Sequence, residues 1–445
     1  MMASNDIFPR QTLQTIVLLL GLLITQPSVR ADTPDFCFSD DQTSFCPITP
    51  TDIPEFSSSF DYRFIAPSVQ APFDRFSWQA FIASQWPLDE TGTPISNGFL
   101  NPNNGTPRWK TYTNQHDMLA TSDQEAACSN QTGLLLSQFR QSSGEALVDS
   151  AGNFVLYETR LNPASEAFIR QQRLVTTEER KRYSDSGQEI QFPLQSTGGP
   201  GAQMLKFAWK VMTDADNPSD FLVQEAHVSV AARHAHTGQP KCLSVTVGLV
   251  GMHLVQRVPS GNGDRWVWST FEHTDTAPLA TNARGPNSIM VAELFPDGCQ
   301  APTDTAGRAH LFFDVQSDTR VNTGHAQALW GDRAPYARDS SGLPIQASRI
   351  VRCWDIFEGT RATNGQWQQA LQGSALAHYR LVGTQWVGNI GGAPFGTGEV
   401  PRYLSNVTLE SFIQDKPQGT CLGCHNTANT DAGQPANFTF VLNPR

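Results

Sequence analysis

Residues 242–275 read CLSVTVGLVGMHLVQRVPSGNGDRWVWSTFEHTD, and this stretch decides the fold. Two long apolar runs, Cys242 to Val258 and Arg265 to His273, flank Gly261-Asn262-Gly263-Asp264, a composition suited to a hairpin turn. The runs are rich in β-branched and aromatic residues and alternate in polarity, so they predict paired antiparallel strands. Upstream, Met204 to Met212 sets Leu205, Phe207, Trp209 and Val211 against Lys206, Ala208 and Lys210, and Phe221 to Val230 adds a further run. Together they predict an antiparallel β-rich body of α+β class, packed on one or both faces.

Helical signals surround that centre. Phe73 to Trp86 has apolar residues near helical spacing and is stopped by Pro87; Gly152 to Thr159 reads as a turn and strand; Asn162 to Arg182 has Pro163 near its start and a charged tail that suits a solvated face. Gln366 to Leu381 and Leu404 to Gln414 are further helix candidates. The Gly-rich stretch Gly391 to Gly398 lacks the order of a phosphate loop. One large body over 32–403 and a C-terminal segment over 404–445 are expected.

The first 31 residues suit a secretory leader: Arg10, an apolar run from Ile16 to Ile24 too short to span a bilayer, and Val29-Arg30-Ala31 as a cleavage site. No integral membrane segment is expected after cleavage, and a periplasmic location in a Gram-negative bacterium, or secretion, follows. The net charge is −11 with no basic patch, which argues against nucleic acid as a partner. Of eight cysteines, Cys37, Cys46, Cys128, Cys242, Cys299 and Cys353 fit up to three disulfides in an oxidising compartment, with Cys37 and Cys46 near enough in sequence to close a small loop.

The remaining two cysteines carry the chemistry. Cys421-Leu422-Gly423-Cys424-His425 has the spacing of c-type haem attachment. Each thiol adds across one haem vinyl group to form a thioether, and the adjacent imidazole, His425, ligates the iron from one face. One covalent haem c is the expected cofactor. A redox-active disulfide and half of a zinc site are the alternatives; a zinc site needs two further ligands, and none is adjacent. No Met or His follows His425 in this sequence, so the second axial position is filled from upstream, by a small ligand, or left open.

Upstream candidates are numerous. His273, where Glu272, His273 and Asp275 interrupt an aromatic strand, is the distal candidate singled out, set against the plainer reading of a histidine tied to a carboxylate. His253, on the strand face of Val247, Leu249 and Val255, reads as a core histidine. His234 and His236, with His227 nearby, suit a solvated turn better than a metal site. Lys206 and Lys210 are expected to pair with carboxylates such as Glu225. No hydrolase motif is present.

The segments LKFAWKVM (205–212), VTVGLVGMHLV (245–255), WVWSTFEHTD (266–275), YRLVGTQW (379–386) and LSNVTLESFIQ…CLGCH (404–425) resemble a group of bacterial exported proteins known as cytochrome c family proteins. Thr274 and Thr276 stand where that group tends to have Val and Asn, so no specific role for the loop after Asp275 carries over. The resemblance implies haem binding and export, and no substrate. A redox role follows as the expectation, either as an electron carrier to a partner protein or as a haem-dependent oxidoreductase acting on a small molecule; a haem-based ligand sensor is the alternative.

Overall fold

The hairpin centred on residues 242–273 forms the middle of a nine-stranded sheet. Its strands are β1 (Thr113–Asn114), β2 (Leu134–Leu136), β3 (Val155–Leu161), β4 (Gln203–Val211), β5 (Val223–Val230), β6 (Lys241–Ser260), β7 (Gly263–His273), β8 (Tyr379–Val387) and β9 (Glu399–Val400). The order is β9-β8-β7-β6-β4-β3-β1, with β5 on the first half of β6 and β2 parallel to β5. All other pairings are antiparallel, so the α+β, β-rich reading holds. The computed structural model describes residues 45–53, 67–95, 105–119, 127–196, 199–260, 263–288, 294–387 and 399–443. The leader, Cys37, Gly261–Asn262 and the Gly391–Gly398 loop lie outside them. Among the described residues no helix is long and apolar enough to cross a membrane.

The sheet is buried on both faces. Helix α1 (Pro67–Gln85) realises the aromatic stripe read from Phe73 to Trp86, and lies on one face with α4 (Glu358–Ala370). Phe73 stacks on Trp386 at 3.6 Å, Phe81 on Phe271 at 4.3 Å, and Trp78 on Trp367 at 5.6 Å. Leu205, Phe207, Trp209 and Val211 all enter this core, as their alternation predicts.

The opposite face is covered by the C-terminal residues 404–442. Leu404, Cys421, Leu422, Val441 and Leu442 pack with Met204, Val255, Trp266 and Trp268. Val407, Leu409 and Phe412 pack with Val155, Tyr157 and Ala208. The approach is close: a Cβ on Gly251 would overlap the Thr408 hydroxyl.

Three helix expectations are corrected. Asn162 to Arg182 divides into α2 (Pro163–Gln171) and α3 (Thr177–Asp185), because Arg173 turns to a φ of 52° and a Thr176/Glu179 capping box restarts the chain. The run expected as a helix over 366–381 ends at Ala370; Gly373, at a φ of 85°, redirects it, and Tyr379 onward pairs with β7. Leu404 to Gln414 forms turns, not a helix. Its polar side chains take over the backbone's bonding: Asn406 Oδ1 accepts from Thr408 N, Asn406 Nδ2 donates to Phe271 O, and Gln414 bridges Cys353 N and Val351 O.

Between described residues two disulfides, Cys128–Cys242 and Cys299–Cys353, tie the periphery to the sheet region. The expected Cys37–Cys46 pairing involves Cys37 and so falls outside the described residues.

Candidate functional site

The CLGCH residues form a single helical turn, α5 (Cys421–His425). A three-residue spacing on a helix brings Cys421 and Cys424 to the same side, one above the other, and His425 follows within the same turn. The turn is held by Gln385 of β8, which is wholly buried: its Nε2 donates to Thr420 Oγ1 at 2.7 Å and its Oε1 accepts from Leu422 N at 2.8 Å. Both cysteines carry thiols rather than a mutual disulfide. Burial, with Glu410 and Cys424 nearby, pushes the Cys421 thiol well above its usual range. That is the reverse of the stabilised thiolate that a dithiol redox motif needs.

His425 sits between the rings of Trp268 (4.2 Å) and Phe440 (5.0 Å). Its Nδ1–H donates to the carbonyl of Phe438 at 2.9 Å. Burial lowers its pKa to about 3, so the ring is neutral across the physiological range. With Nδ1 committed as a donor, Nε2 carries the lone pair and is the nitrogen available to a metal. Two thiols on one turn and an adjacent imidazole with a fixed tautomer form a donor set that fits a c-type haem.

His253 belongs to the same neighbourhood, and Glu410 and Lys206 join it. The strand registers place Lys206 opposite His253 and His253 opposite Thr270; one step along, Met204, Val255 and Trp268 form the neighbouring row. The expectation that His253 shares a face with Val247 and Leu249 is corrected here. A bulge between Leu249 and Gly251 reverses the alternation, sending Val247 and Leu249 to the α1 face and His253 toward the C-terminal segment. His253 is 7% exposed and its Nε2 lies 2.7 Å from Glu410 Oε1. Burial opposes ionisation of Glu410, yet His253 and Lys206 together hold it below the usual carboxylate range. Glu410 carried no sequence signal, because its partners are about 150 to 200 positions upstream and meet it only through the docking of the C-terminal segment.

His273 is placed elsewhere. Side chains alternate along β7, so Trp266, Trp268, Thr270 and Glu272 face the C-terminal segment while Val267, Ser269, Phe271 and His273 face the other way. His273 lies five residues, about 17 Å, along the strand from Trp268. Its Nε2–H donates to Asp220 O at 3.0 Å and its Nδ1 accepts from Asp275 N at 3.2 Å. It stacks on Phe221 at 4.3 Å, and burial lowers its pKa to about 4. The structure does not bring His273 together with His425.

The other polar residues singled out have plain surroundings. Lys210 pairs with Asp216 at 2.5 Å rather than with Glu225, which accepts from Thr246. Lys206 lies 5.9 Å from the Tyr157 ring and forms no ion pair among the described residues. His227 contacts Ser244, and His234 ends a short 3-10 turn against Phe139. Among the described residues there is no group of three or more His, Cys, Asp or Glu side chains that could hold a metal ion.

No protein-family model, curated protein or solved structure matches the chain.

Proposed function

We propose that the chain is an exported monohaem c-type protein with a redox role, with haem linked through Cys421 and Cys424 and the iron held by His425. The observation that carries this reading is the tautomer of His425. Its Nδ1–H is committed to Phe438 O, and its Nε2 lone pair is presented on the same helical turn as two thiols. The haem would supply one-electron chemistry; the chain's own residues fix the imidazole, keep it neutral and surround it with apolar walls. The two disulfides and the leader-like first 31 residues support a periplasmic or secreted location. The resemblance to exported cytochrome c family proteins supports the same reading through the quoted segments.

The test is expression with export and c-type maturation, followed by a denaturing gel stained for haem and a pyridine haemochrome spectrum. One haem per chain, retained under denaturation and abolished by the double substitution Cys421→Ala, Cys424→Ala, is expected. A chain that matures without covalent haem would refute the proposal.

A further inference from the structure

We propose that His253 is the second axial ligand of the haem iron, an inference that rests on the haem reading above. The motif supplies one imidazole, and the sheet presents a second beside it. Trp268 packs on the His425 ring, and His253 is the diagonal neighbour of Trp268 across the β6–β7 ladder, on the same face. Diagonal neighbours in an antiparallel pair lie about 7–8 Å apart, within reach of large side chains.

The two rings share an arrangement. In each, one nitrogen is anchored: His425 Nδ1 to a carbonyl, His253 Nε2 to the Glu410 carboxylate. In each, the other nitrogen has no hydrogen-bond partner. For His253 that atom is Nδ1, fully buried and unpartnered. Leaving a buried polar atom without a partner costs about 1–3 kcal/mol. A carboxylate behind an imidazole fixes its orientation and raises its basicity, as is usual for histidines that bind metals. Glu410 is itself held by Asn406 N at 3.0 Å, and Lys206 stands opposite His253 on the neighbouring strand.

Rival ligands on this face are Met204, one row away, and Lys206. Met204 packs within the apolar cluster around Cys421 and Trp268. His273 is on the opposite face with both ring nitrogens bonded. Two imidazoles on the iron leave no position for a small molecule, so His253 as ligand selects electron transfer over ligand activation.

The experiment uses the full haem-loaded chain in its oxidised form. Near-infrared magnetic circular dichroism separates an imidazole–imidazole pair from imidazole–thioether and imidazole–amine pairs, and EPR separates low-spin from high-spin iron. The expected wild-type result is low-spin iron with the paired-imidazole signature. His253→Ala is expected to become high-spin, to bind cyanide at least tenfold more tightly, and to return to low-spin when free imidazole is added. Met204→Leu is expected to leave the spectra unchanged. High-spin wild-type iron, a thioether or amine signature, or an unaltered His253→Ala spectrum overturns the proposal while leaving covalent attachment intact. A chain without covalent haem overturns both readings. Should His253→Ala fail to fold, the wild-type spectra alone decide.

Discussion

His425 packs against strand β7 at Trp268 and His273 is the last residue of that strand, and their surroundings differ in one respect that matters. His273 has both nitrogens engaged, by Asp220 and Asp275, and an aromatic stack on Phe221. His425 has one engaged and one not. The crowding of Glu272, His273 and Asp275 suggests chemistry when read along the chain. In space, each of the three is drawn off by a different partner: Glu272 by Arg352 and Arg380, Asp275 by Arg308, His273 by a backbone carbonyl. A histidine's promise as a ligand therefore lies in the nitrogen left over after packing, and neighbouring letters in the sequence do not report that.

The comparison can be broken most severely at the motif. Removing both thiols by Cys421→Ala and Cys424→Ala should abolish covalent haem altogether, and His425→Ala should remove the proximal ligand, read as a changed spin state in any haem still attached. If His425→Ala left the spectrum intact, the two histidines would no longer be distinguishable by this criterion.

The next effect is on stability, at the far end of the same face. Burial opposes ionisation of Glu272, but Arg352 and Arg380 outweigh it and hold the carboxyl below its usual range. Glu272→Ala would strand two guanidiniums, one of them 3% exposed, and should cost about 3–5 kcal/mol in denaturant titration. The covalent haem yield of whatever folds should be unchanged. A loss below about 1 kcal/mol would show that the arginines find other partners.

A smaller and pH-dependent effect belongs to the α1 face. Burial raises Asp74 to about 6 against the lowering effect of hydrogen bonds from Thr360, Gln70 and Thr384. Between about pH 4 and 6 the folded chain keeps a proton that the unfolded chain releases, so this group's contribution falls as pH rises through that window. The penalty, roughly 3 kcal/mol from a shift of about two pH units, persists above it. Asp74→Asn should gain stability relative to wild type as pH goes from 4 to 7. An offset that stays constant across that range would contradict the assignment.

The smallest spectral effect is expected at His273. His273→Ala should cost about 2 kcal/mol through its two lost hydrogen bonds, yet leave the haem spectrum where it was. A spectral change would erase the contrast between the two faces.

Much of the sheet was legible in the sequence because its strands are long and its alternation is clean. Leu205, Phe207, Trp209 and Val211 fall on one face as their spacing requires. The helix expected over 404–414 was not realised, because Asn406 bonds to β7, Gln414 to residues 351–353 and Ser411 to Gln141, partners that local spacing does not reveal. The motif itself was plain from five letters. Its neighbours Glu410 and Lys206 were not, since their meeting depends on which way the C-terminal segment docks. His253 was assigned to the wrong face for a simpler reason: period-two reading assumes an unbroken strand.

That break in β6 has a consequence for how the strand can vary. The bulge at Leu249–Gly251 works like a shift of reading frame within a single twenty-residue strand. Every residue before it obeys one parity and every residue after it obeys the other. Val250 is the extra residue, and deleting it would only regularise the ladder; were Val250 instead to take an ordinary place in it, the two faces downstream would exchange, turning His253, Val255 and Arg257 toward α1 and Met252, Leu254 and Gln256 toward the CLGCH turn. Whether Val250 stands out of the ladder or within it thus decides if the strand offers the motif an imidazole or a thioether.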